Sequence, residues 1–221
     1  MGKLKEFLIS LFGQKRDKAL PQPVNAPRKP VQVEAPPAPD VFAYQDELAL
    51  RELTQSPMWD WRAFRAVLIS LANLGVGRYV PAQRKPNCVY LDGLQRTFMD
   101  LRRLSQERQG RETSCIVLAD RQRASLIVSG KIYIGSATQV RTEMSAQPGR
   151  AHFQFPVLTI HVHPGECGGM GFSQLDYVSF LSDQRLIAMI VCYHEGLLLA
   201  MKTTATRSGI APESVRRMVA V

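Results

Sequence analysis

Cysteine and histidine are scarce: this chain of 221 residues holds four of each. Cys88, Cys115, Cys167 and Cys192 are too far apart in sequence to form a CxxC pair, which excludes zinc-knuckle and thioredoxin-type motifs. Cys115 and Cys192 sit in the apolar runs "SCIVLA" and "AMIVCY", where cysteine acts as a small buried hydrophobe. No disulfide framework is legible, so the expected compartment is reducing, the cytoplasm. Runs of about 18 apolar residues are missing too, which predicts no transmembrane helix. Also absent are basic stretches interleaved with aromatics. The net charge of +9 therefore carries no specific nucleic-acid signal, although it favours anionic partners in general.

The opening "MGKLKEFLISLFGQKRDK" imitates a signal peptide, but its apolar centre "FLISLF" is short and no small-residue cleavage site comes after it. Gly2 invites a myristoylation reading that Glu6 disfavours, since the motif takes Ser or Thr there. Met1, Leu4, Phe7, Leu8, Leu11 and Phe12 keep helical spacing. Residues 1–19 thus read as a short amphipathic helix, able through residues 1–16 to lie on a membrane surface or dock on a partner protein. A frayed terminus is the plainer alternative. Residues 20–40 are Pro-rich and lack an apolar period, the pattern of a linker.

Residues 41–80 form a helical extension. "VFAYQDELALRELT" is one helix. A second is expected after Ser56 as N-cap and Pro57 at the first turn, running through "MWDWRAFRAVLISLANLG" to a stop at Gly75. Two helices bury little alone, so they should pack on the later part of the chain or bind a partner. From residue 86 the pattern mixes strands and helices: "NCVYL" as a short strand, "DGLQRTFMDLRRLSQER" as a helix, and "TSCIVLAD", "ASLIVSGKIYIGS" and "FPVLTIHVH" as strands. "SQLDYVSFLSD" is a helix with Ser173 as N-cap. "RLIAMIVCY" and "LLLAMKTT" are strands around "HEG", and residues 207–221 end in a helix or tail. The fold class is α/β (α+β), with the mixed domain at residues 86–206.

The stretch "HVHPGECGGMGFSQLD" holds the densest chemistry. Strand side chains alternate faces, so His161 and His163 share one side with Val162 opposite. That is half of a first-row metal site, or an ordinary core strand ending in two histidines. Ser173 and Asp176 lie one helical turn apart and share a face. Asp176 can add a carboxylate oxygen, and two imidazoles with one carboxylate leave a fourth position open for water, as in catalytic zinc.

The constellation HxHP, loop, SxxD resembles the signature of the JAMM (MPN-type, Prok-JAB-like) zinc metalloproteases. The resemblance covers roughly residues 86–206. It implies a mixed β-sheet flanked by helices, with a cytidine-deaminase-like core. It also implies one Zn²⁺ held by His161, His163 and Asp176. Glu112, after the first long helix and at the head of "TSCIVLAD", would be the general base, and Ser173 the oxyanion donor. The implied activity is hydrolysis after the tail of ubiquitin or a ubiquitin-like protein, or of its conjugates. The alternative within the fold is a scaffold that binds metal or protein without turnover. Val162 stands where the family usually has Ser, and the HxHP-to-Ser spacing is one or two residues longer than usual. Little chain separates "IYIGS" from "HFQFP", which leaves out a large substrate-gripping insertion.

Glu107, Glu143 and Glu166 compete with Glu112 for the role of base. Cys167 in the glycine-rich loop is a plain thiol, an inhibitory metal ligand or an oxidant sensor. His152 and His194 read as edge or turn residues.

Overall fold

The periodic signals become elements wherever the backbone finds a partner for its own polar groups. The computed structural model describes residues 41–142, 154–164, 171–193 and 196–219. The expected terminal helix and Pro-rich linker lie outside them, as do Glu143, His152, Glu166, Cys167 and His194. The described elements all belong to one compact unit, residues 40–221.

Helix α1 spans Val41–Leu53 and α2 spans Trp61–Leu74. Ser56 and Pro57 do not start α2. Instead the two-residue strand β1 (Met58–Trp59) pairs in parallel with β2 (Cys88–Val89). The Asn87 N–H donates to Pro57 O (2.6 Å) and the Tyr90 N–H to Trp59 O (2.8 Å). This pairing holds residues 57–59 extended, so the helix starts after them. Asp60 is the N-cap, accepting from the Ala63 N–H at 2.7 Å. Gly75 closes α2 at φ +96°, where a Cβ would be strained.

Helix α3 (Gln95–Glu107) leads to β3 (Thr113–Asp120). "ASLIVSGKIYIGS" is not one strand but two, β4 (Ser125–Val128) and β5 (Tyr133–Ile134), which pair in tandem along one edge of β3. Strand β6 (Gln154–Val162) lies antiparallel on the other edge of β3 and parallel to β7 (Ala188–Tyr193). Strand β8 (Gly196–Met201) pairs antiparallel with β7. Helix α4 (Gln174–Ser182) lies between β6 and β7 in sequence, and α5 (Pro212–Val219) packs on α4. The sheet order is β4-β3-β6-β7-β8, a mixed sheet flanked by helices.

Alternation splits that sheet into two working faces. Cys115, Val117, Leu158, Ile160, Val162, Ala188, Ile190 and Cys192 join Trp59, Phe64, Val67 and Leu68 in the main core. The helical extension is therefore packed on the sheet. On the opposite face lie Thr159, His161 and Met189, with Phe180 and Leu186 forming a smaller cluster under α4. Register shifts once, between Val117 and Leu118, by a bulge that brings Leu118 opposite Pro156. Pro156 can sit in β6 because β7 pairs only from Leu158 onward.

Trp59 is fully buried and its indole N–H donates to Ser56 O at 3.1 Å. Trp59→Ala should cost about 3–5 kcal/mol of unfolding free energy, read from urea melts. An unchanged midpoint would show that the extension is not part of the core.

Candidate metal centre

The β3–β6 register sets the site. Ser114 stands opposite His161 and Thr113 opposite Val162. Directly opposite residues point to the same face. One step further, Glu112 at the head of β3 falls beside His163 at the end of β6. Thr113 and Val162 point the other way: Thr113 Oγ1 donates to Leu101 O in α3 (2.9 Å), and Val162 lies in the core.

Helix α4 brings the third group. Ser173 is its N-cap and Asp176 its third residue, and together they form a reciprocal capping box. The Ser173 N–H donates to Asp176 Oδ2 (2.6 Å), and the Asp176 N–H donates to Ser173 Oγ (3.2 Å). The carboxylate thus held reaches both imidazoles: Oδ1 is 3.0 Å from His161 Nε2 and Oδ2 is 3.4 Å from His163 Nε2. The two Nε2 atoms are 3.1 Å apart. Both histidines are buried, and only 14% of the Asp176 side chain is exposed.

These three residues offer ligand atoms all within 4.8 Å of one another, so the group can hold a metal ion. The donor chemistry fits one. At 3.1 Å the two imidazole nitrogens can share a proton or a cation, but two lone pairs facing each other would repel. Two imidazoles and a carboxylate suit a first-row divalent ion.

Glu112 is buried at the edge of the same cleft. Burial raises its carboxyl above the ordinary value, while the His163 and His161 imidazoles pull it down and the Asp176 charge adds to the rise. The Val140 N–H donates to that carboxylate. Residues 135–142 are stapled to the head of β3. The Glu112 N–H donates to Ser136 O (2.7 Å), the Gly135 N–H donates to Glu112 O (2.8 Å), and the Ser114 and Thr142 hydroxyls meet at 2.6 Å. Gly135 has no substitute here, since a Cβ would collide with the backbone carbonyl of Gln139. Glu107 is elsewhere, half exposed and paired with Arg103 at 2.7 Å.

The cleft encloses about 330 Å³, with residues 138–142 on one wall, Leu175, Ser179 and Asp183 of the α4 region on the other, and Thr159, Leu186 and Met189 as floor. Of these lining residues, sequence reasoning reached only Glu112, His161, Ser173 and Asp176. Ser114 and Thr159 were findable, each two positions along a strand from a candidate residue. The 138–142 wall had no signal, because it reaches Glu112 through the Val140 backbone N–H.

Burial works to raise the Asp176 carboxyl, but hydrogen bonds from His161 and His163 overcome it and hold the group well below the carboxylate range. The hydrogen bond that His163 donates to Asp176 chiefly raises the imidazole, against burial. Without metal, the depressed Asp176 adds stability above its unfolded pKa, lost as pH falls through the folded value. The raised His163 adds stability below its unfolded pKa of about 6.5, lost as pH rises through the folded one. In chelator, Asp176→Asn should therefore destabilise more at pH 5.5 than at pH 9, measured by urea unfolding. Equal losses would contradict the pairing.

No protein-family model, no curated protein and no solved structure matches this chain, so its site is described by its own geometry.

Proposed function

We propose that this chain is a zinc-dependent peptidase or isopeptidase of the JAMM type. It would cleave after the C-terminal tail of ubiquitin or a ubiquitin-like protein, in conjugates or precursors. One observation supports the reading: a buried carboxyl, Glu112, lines one cleft with His161 and Asp176, and those two form with His163 a group that can hold a metal ion, the four residues that the resembling signature would make a base and three ligands. Zinc on that triad would supply a Lewis acid for the scissile carbonyl and a more acidic water.

The chain's own groups account for the rest of the chemistry. Burial raises Glu112 toward the working pH, as a proton acceptor that must later donate requires. It takes the proton of the attacking water and passes it to the leaving amine as the C–N bond breaks. The Val140 N–H keeps the carboxylate oriented. Ser173 is exposed to the cleft and its Oγ already accepts from the Asp176 N–H, which leaves its own proton free to donate. That proton serves the oxyanion of the tetrahedral intermediate. An extended tail fits between residues 138–142 and α4, over the floor of Leu186 and Met189.

No helix among the described residues is long and apolar enough to cross a membrane. A cytoplasmic enzyme, tethered to a membrane or complex through residues 1–16, completes the proposal. Deleting residues 1–40 should then change location in cells and leave turnover intact.

Two substitutions test the chemistry on a ubiquitin-like precursor carrying a cleavable tail. Glu112→Gln should lower kcat by about 10²–10⁴-fold while zinc content stays at one per chain. Persisting turnover would remove Glu112 from the mechanism. Ser173→Gly should cost only a few tenths of a kcal/mol of stability, because Gly is an acceptable N-cap, yet lower kcat by about 10²-fold or more. If kcat held while Ser173→Ala destabilised by about 1 kcal/mol, Ser173 would be a cap alone.

A further inference from the structure

Lys202 comes just after β8 and is fully buried, which is rare for lysine unless it is paired. Its ammonium donates to Asp183 O and to Ser208 Oγ (2.8 Å). It also lies 4.7 Å from the Phe180 ring centroid and 5.4 Å from that of Tyr79, within cation–π range. Burial lowers it to about 8, with the Asp183 charge opposing, so it is a cation at neutral pH.

Its grip is on the carboxyl end of α4. Asp183 is the C-cap of that helix. The neighbouring carbonyls are held from outside as well: Leu181 O by the Ile210 N–H (3.3 Å) and Gln184 O by the Tyr79 hydroxyl (2.8 Å). A cation at a helix C-terminus also complements its dipole. Helix α4 has nine residues, too few to hold a position by itself. Its other end carries Asp176 and Ser173, about 10 Å and about 15 Å away along the axis.

We infer that Lys202 is a positioning residue for the metal centre: it clamps the carboxyl end of α4 so that Asp176, at the amino end, stays on the His161–His163 pair. This rests on the reading of His161, His163 and Asp176 as metal ligands. Replacing Lys202 alone by a hydrophobe leaves Asp183 O and Ser208 Oγ without their donor, so stability falls together with the grip on α4. The part of its contribution that concerns the metal centre is geometric, and the metal affinity of the folded chain is where it shows.

The test is a cobalt(II) titration of the full chain, monitored by visible absorption, beside urea unfolding in chelator. Lys202→Met should lower the midpoint and, under conditions where the chain is still fully folded, bind cobalt roughly tenfold more weakly, as losses of residues supporting metal ligands do. Leu71→Ala, in the core away from α4, should lower the midpoint and leave the affinity of the folded chain unchanged. If Lys202→Met fails to fold, the pair Ser208→Ala and Tyr79→Phe should still weaken cobalt by about threefold, half the effect on a log scale. Wild-type affinity in Lys202→Met, or in that pair, overturns the inference. A wild-type chain that takes no cobalt overturns the ligand reading itself and the inference with it.

Discussion

The register between β3 and β6 is the constraint on which the site depends. Ser114 opposite His161 puts His161 and His163 on the face away from the main core and brings Glu112 alongside. A slip of one residue would turn both histidines into the apolar core and Val162 toward the cleft. The slip is disfavoured by the core itself. Cys115, Val117, Leu158, Ile160 and Val162 all point at Trp59, Phe64 and the α2 helix. The apolar burial that stabilises the fold thus also fixes the faces on which the polar groups stand. That explains why the helical extension matters to a site that it does not touch.

Burial on the other face gives these groups their chemistry. Glu112, His161, His163 and Asp176 share a small poorly solvated volume, where each perturbs the others. The carboxylate of Asp176 is the pivot. Its capping box with Ser173 orients it, and its two oxygens reach the two imidazoles. One short helix therefore ties local backbone satisfaction to the assembly of the centre. Glu112 is fixed differently, by a backbone clasp from residues 135–142 that closes only because residue 135 is glycine.

The bounds of β3, the pairing of His161 with His163 and the capping role of Ser173 were legible in sequence, because each rests on a local period or cap. The start of α2 was not. Ser56-Pro57 is a sound helix opening in isolation, but pairing of Met58–Trp59 with Cys88–Val89, some thirty positions on, overrides it. The break in "ASLIVSGKIYIGS" was hidden for a like reason, since both halves are strand-like and only their shared edge on β3 separates them. Lys202 stood unremarked inside the expected strand "LLLAMKTT". Its burial comes from Tyr79, Phe180 and Ser208, which meet only in the folded chain.

Whether His161, His163 and Asp176 form one metal centre with Glu112 beside it is tested most directly by anomalous diffraction from crystals soaked in zinc. The account predicts one peak bonded to His161 Nε2, His163 Nε2 and Asp176, with the Glu112 carboxylate in hydrogen-bonding reach of the remaining ligand. A peak elsewhere, or none at saturating zinc with the cleft open to solvent, would contradict it.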